Sequence, residues 1–205
     1  MRPILLLALA AAGLASAQYD VLIRNARVID GAGNPWFRAD VAIRGDTIAA
    51  VGRLEGATAA RVIDAAGRVA APGFIDMHTH SRRGIFEVPT AENYIRQGVT
   101  TLTEGNDGGS PLPIQPFLEK VAAARPAANF ATFVGQGSIR SEVIGSINRP
   151  ATPEEIERMK QMVREAMEQG ALGLSTGLFY VPGNFTPTEE VIELEIGRAS
   201  CRERV

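Results

Sequence analysis

The sequence predicts an α/β protein, a small β-rich unit over residues 18–69 followed by four β/α units over residues 70–194. Three observations predict it. From Tyr19 to Val69 apolar and polar residues alternate between turn signals. After Pro72 short apolar runs alternate with stretches of helical period. Four such repeats in a row imply a parallel sheet, either open and doubly wound or half of an eight-stranded barrel.

The β-rich unit reads as "YDVLIRNARVID", "ADVAIRGDTIAAVG" and "ARVIDAAGRVAAPG", with Gly31, Gly33, Asn34-Pro35 and Gly45-Asp46 marking turns. An apolar strand ending at His80 opens the second part, and a short helical stretch follows around Ala91–Arg96. "GVTTLTEG" reads as the next strand, "QPFLEKVAAA" as a helix and "NFATFVGQG" as a third strand. Thr152-Pro153-Glu154-Glu155 then sets a threonine cap, a proline at the first helical position and a glutamate three residues after the cap. Ile156, Met159, Val163, Ala166 and Met167 continue that helix as an apolar stripe, so the methionines read as core filling. "ALGLSTG" is a fourth strand, and Thr186-Pro187-Thr188-Glu189 repeats the helix start signal.

The two ends differ in character. Residues 1–17, MRPILLLALAAAGLASA, have a charged start, an apolar stretch too short to span a bilayer and a small-residue cleavage site. They predict a secretory signal, a mature chain from Gln18, export to the periplasm or medium, and no membrane attachment after cleavage. Residues 195–205, EIGRASCRERV, lose the helical apolar period, so the helix is expected to stop near Leu194. This tail resembles the in-frame translation of a sequencing adapter, which would make Cys201, the sole cysteine, foreign to the natural protein; a natural basic tail is the alternative.

A net charge of -2 offers no basic surplus for nucleic acid. The chemistry concentrates at "PGFIDMHTHS", which holds both histidines of the chain. In a strand, positions i and i+2 share a face, so His78 and His80 would project together while Met77 and Thr79 turn away. Both imidazoles could then hold one zinc ion at the carboxyl end of a barrel strand, where active sites gather. Asp76 is a candidate to support the loop or a ring N–H. Two purely structural histidines are the alternative that spacing leaves open.

"APGFIDMHTH" resembles the first barrel strand of the amidohydrolase superfamily, and "GVTTLTEGNDGGSP" with "GALGLSTGLFYVPGNFTPTEEVIEL" is similar to its D-aminoacylase branch, the N-acyl-D-amino-acid deacylases. The resemblance implies the amino-terminal part of an amidohydrolase-type (β/α)8 barrel preceded by part of a small β-sandwich. It implies zinc, one or two ions, and hydrolysis of a small N-acyl-D-amino acid. His78 and His80 match the histidine pair. Asp107, in Gly105-Asn106-Asp107-Gly108, stands where a cysteine ligand is common in the branch; a turn residue between glycines is the alternative. Ser175, Thr176, Gly177 and Tyr180 follow the fourth strand and are substrate-binding candidates, or else a polar loop with a packed tyrosine.

Departures from the branch are Ser81, where an acidic residue is common, and Gln136, where a histidine is. A lysine bridging two metals is not expected, because Lys120 and Lys160 both fall on predicted helices. The two further histidines and the proton-shuttling carboxylate of the family are expected beyond residue 194, so these 205 residues are expected to be inactive and prone to aggregation. A cyclic-amide hydrolase resembling dihydroorotase and a non-catalytic exported binding protein remain as alternative functions.

Overall fold

The computed structural model describes residues 18–202, with side chains described through Ala199. The segment read as a secretory signal lies outside the described residues, as does the side chain of Cys201. The chain divides into two compact units at Pro72.

In the first unit β1 (Tyr19–Val28), β2 (Phe37–Arg44), β3 (Thr47–Gly52), β4 (Ala59–Asp64) and β5 (Val69–Ala70) form one mixed sheet. β1 is its centre, antiparallel to β2 and parallel to both β4 and β5. The β2–β3 hairpin closes through Gly45-Asp46, with Arg44 opposite Thr47 and Gly45 at φ +59, a conformation that glycine adopts without steric cost. Ala26, Val28, Ala39, Val41 and Ala65 form the buried cluster on this sheet.

In the second unit β6 (Phe74–Asp76) is followed by two single-turn helices, α1 (Gly84–Glu87) and α2 (Glu92–Ile95), and then β7 (Val99–Glu104). After α3 (Ile114–Ala124) come β8 (Asn129–Thr132), β9 (Val134–Gly135) and α4 (Gln136–Val143), then α5 (Pro153–Glu168), β10 (Leu174–Ser175) and α6 (Thr188–Arg202). β6, β7 and β8 pair in parallel in that order, and β10 pairs in parallel with β9. The parallel series read from the sequence is therefore present, with the third strand interrupted at Phe133.

The capping box on α5 forms in both directions, Glu155 N–H donating to Thr152 Oγ1 at 3.3 Å and Thr152 N–H to Glu155 Oε2 at 2.8 Å. Its stripe packs as expected: Met159 and Val163 are fully buried with Ile114, Val134, Ile139 and Leu194 in the main core. Each such side chain stabilises the fold by roughly 1.5–3 kcal/mol. The N-terminus of α3 has no cap of its own; Gln169, just past α5, accepts from the N–H groups of Ile114 and Gln115 at 2.9 and 3.1 Å.

Three elements depart from the sequence reading. β6 ends at Asp76, not His80. "VGQG" does not stay extended, because α4 begins at Gln136 and runs to Val143. α6 does not stop near Leu194 but continues to Arg202. Buried Gly197 lies against Lys160 of α5, and Arg198 Nε bonds Glu195 at 2.5 Å one turn earlier, so packing and a local ion pair sustain the helix where the apolar period lapses. Among the described residues no helix is long and apolar enough to cross a membrane.

Candidate metal centre

His78 and His80 stand just beyond the last ladder residue of β6, and the strand's alternation persists without the ladder. Thr79 N–H donates to Thr103 O at 2.9 Å, and its hydroxyl donates to the same oxygen at 3.0 Å, so Thr79 is buried against β7. The flanking histidines turn outward and are exposed. Asp76 supports this loop through its carboxylate, which accepts from His78 N–H at 3.1 Å; its partner is a backbone amide and not an imidazole.

Asp107 reaches the same point from the loop after β7. Its Oδ2 lies 3.1 Å from His78 Nε2 and 3.3 Å from His80 Nε2. Donor atoms of the three residues all lie within 4.8 Å of one another. Four ligands placed tetrahedrally about 2.0 Å from a zinc ion are about 3.3 Å apart, so this donor set fits such an ion with little movement. Two imidazole nitrogens and one carboxylate oxygen also match the ligand types that zinc accepts.

The Asp107 loop is held mainly by close backbone approach. A Cβ on Gly177 would lie 1.9 Å from Asp107 O, one on Gly135 2.4 Å from Gly108 O, and one on Gly108 2.7 Å from Gly177 N. Asp107 itself has φ 58, in the left-handed region. Ser175 Oγ donates to Gly105 O and accepts from Gly108 N–H at 3.3 Å, which places this side chain under the loop as a brace.

Of the other substrate candidates, Thr176 is exposed and Gly177 supplies the close backbone contact. Tyr180 lines a shallow depression with Asp107, Ser138, Ser141 and Gly183, directly beside the metal-ligand candidates. Sequence reasoning missed Ser138 and Ser141, because they lie on α4, a helix that the sequence reading did not anticipate past Gly137.

Gln136 is fully buried and turned toward Thr186, to whose hydroxyl it donates at 2.9 Å. It does not join the histidines. Lys120 packs over the Phe86 ring at 4.4 Å and Lys160 pairs with Glu157 and Glu193, so neither lysine stands at a strand end.

A family model described as the amidohydrolase family matches residues 61–190, well over half of the chain, and the chain belongs to that family. It is 38% identical over 202 residues to the D-aminoacylase of Alcaligenes xylosoxydans xylosoxydans, covering 87% of this chain and 42% of the relative. A solved D-aminoacylase, studied for its binuclear metal centre, superposes with a TM-score of 0.80 at 38% identity over 86% of this chain and 42% of that one. The N-acyl-D-glutamate deacylase of Bordetella bronchiseptica, solved with zinc and a phosphonate inhibitor, gives 0.84 at 33% identity over 90% and 44%. The chain thus spans well under half the length of these relatives. The fold is the amino-terminal part of an amidohydrolase-type (β/α)8 barrel preceded by part of a small β-sandwich, which decides between the two parallel architectures that periodicity left open.

Proposed function

We propose that this chain carries the first metal-ligand set of a hydrolase acting on the carbon–nitrogen bond of linear amides, with small N-acyl-D-amino acids as substrates. The convergence of His78, His80 and Asp107 is the observation that supports it. Zinc, as one or two ions, would supply Lewis acidity toward the amide carbonyl and toward water. His78 and His80 would hold it as neutral donors, and the Asp107 carboxylate would offset part of its charge. The depression beside Asp107 offers the hydroxyls of Ser141 and Tyr180 to an acyl or carboxylate oxygen of the substrate, while Ser138 donates its own to Ser110 O. The general-base carboxylate and the two further histidines implied by the resemblance belong to sequence beyond residue 194, so turnover is proposed for a polypeptide of the relatives' length and not for these 205 residues.

Calorimetric titration of a polypeptide of the relatives' length with zinc tests the site. His78→Ala and His80→Ala are each expected to weaken binding by at least about 100-fold, the upper end of what losing a mere supporting partner costs. Equal affinity in parent and variants would sink the assignment. The substrate class is tested on the full-length polypeptide by comparing N-acetyl-D-amino acids with cyclic amides, and preferential ring opening would overturn it. We also propose export through residues 1–17; mass spectrometry of the amino-terminal peptide from secreted or periplasmic material should place its start at Gln18, as glutamine or pyroglutamate.

A further inference from the structure

Glu104 is 1% exposed at the end of β7, yet it belongs to neither the metal-ligand set nor any ion pair found among the described residues. Burying a carboxylate costs several kcal/mol unless polar partners compensate. Its Oε2 accepts from Arg82 N–H at 2.9 Å and lies 3.5 Å from Ser81 Oγ. Ser81 Oγ is in turn 3.1 Å from Thr79 Oγ1, which donates to Thr103 O at 3.0 Å. Thr79, Ser81, Thr103 and Glu104 are all buried. With the Thr79 proton given to Thr103 O, the single Ser81 proton is shared between Thr79 Oγ1 and Glu104 Oε2, so the firm link from Glu104 to the histidine segment is Arg82 N–H, with Ser81 and Thr79 packed as a polar cluster beside it.

The ladder of β6 stops at Asp76, so regular strand pairing does not hold residues 77–82. One backbone bond, Thr79 N–H to Thr103 O, side-chain bonds between Thr103 and both Thr79 and Met77, and the Glu104 carboxylate accepting from Arg82 N–H tie this segment to β7. Rotation of Thr79 out of its seat would swing His78 and His80 apart. We propose that Glu104 is a positioning residue for the metal-ligand pair: through Arg82 N–H, with Ser81 and Thr79 packed beside it, it fixes the backbone that aims both imidazoles at one point. This inference rests on the metal-site reading above.

The test is titration of a polypeptide of the relatives' length with cobalt(II), following the d–d absorption, with thermal melts as a control on folding. Glu104→Leu and Ser81→Ala are expected to weaken cobalt binding by about 10–100-fold, the usual cost of losing a group that orients a ligand, and to change the absorption at saturating metal. Glu104→Gln keeps an acceptor for Arg82 N–H and is expected to recover most of the affinity. Should Glu104→Leu not fold, Glu104→Ala decides, since it removes the acceptor for both Arg82 N–H and Ser81 with less crowding of the core. Folded variants whose affinity and spectrum match the parent's would overturn this inference alone. A parent chain that binds no cobalt would overturn the metal-site reading, and this inference with it.

Discussion

The two arms of the candidate centre are built by different means. The histidine arm is held to β7 by one backbone bond, by side-chain bonds of Thr79 and Met77 to Thr103, and by a buried carboxylate that accepts from Arg82 N–H. The aspartate arm is wedged between two backbones, with Gly108, Gly135 and Gly177 at distances that a Cβ could not occupy. Hydrogen bonds weaken in increments as partners are removed, whereas steric exclusion at these distances fails abruptly. Damage to the first arm should therefore be graded, and damage to the second severe.

The largest effect should come from Gly177→Ala. Its Cβ would meet Asp107 O at 1.9 Å, so the loop must shift, at a cost on the order of 3 kcal/mol, and zinc affinity should fall with it. Urea unfolding and zinc titration would measure both; a neutral result would remove the basis for the contrast. Thr79→Val keeps the shape of the histidine arm but removes its hydroxyl, and should cost about 1.5 kcal/mol. Gly45→Ala sharpens the comparison, because Gly45 has a positive φ of +59 but nothing within 4 Å of its Cβ direction. It should cost only about 1 kcal/mol, for the left-handed backbone, and leave metal binding unchanged.

The smallest effect is one of pH, at a helix start far from either arm in sequence. The Arg149 guanidinium and Thr152 N–H hold the Glu155 carboxyl down at about 2, from an ordinary value of 4.5. Its folded value is depressed, so the stabilisation is present above about 4.5 and is lost as pH falls toward about 2. Glu155→Gln should flatten that part of the acid limb in melts recorded across the interval. An unchanged acid limb would show that the carboxylate contributes nothing there.

These contrasts also mark what could be read from the sequence. Side-chain signals carried well: the alternation of β1–β3, the capping box of α5 and its stripe were all visible, because each is written in residue types at fixed spacing. The meeting of His78, His80 and Asp107 was legible only in part. Spacing placed the histidines on one side, but Asp107 entered through resemblance. Backbone approach left no such trace, since a glycine needed for contact at 177 reads like a glycine needed for a turn at 45. The early end of β6 and the helical start at Gln136 were hidden for a similar reason. Asp76 and Thr79 take over the bonding past the last ladder residue, and Ile139 turns inward to the main core on α4. Gln169 capping α3 and Glu104 bracing Arg82 join residues distant in sequence, beyond the reach of any local pattern.

Position 107 passes two filters in series. The left-handed backbone there, at φ 58, favours glycine, asparagine and aspartate over other side chains. Donation to a divalent cation favours carboxylate, thiolate or imidazole. Aspartate satisfies both with little backbone cost, whereas the cysteine common at this place in the branch pairs a softer donor with a left-handed backbone that favours it less. The geometry of one residue thus narrows the identities open to a ligand before coordination chemistry makes its own selection.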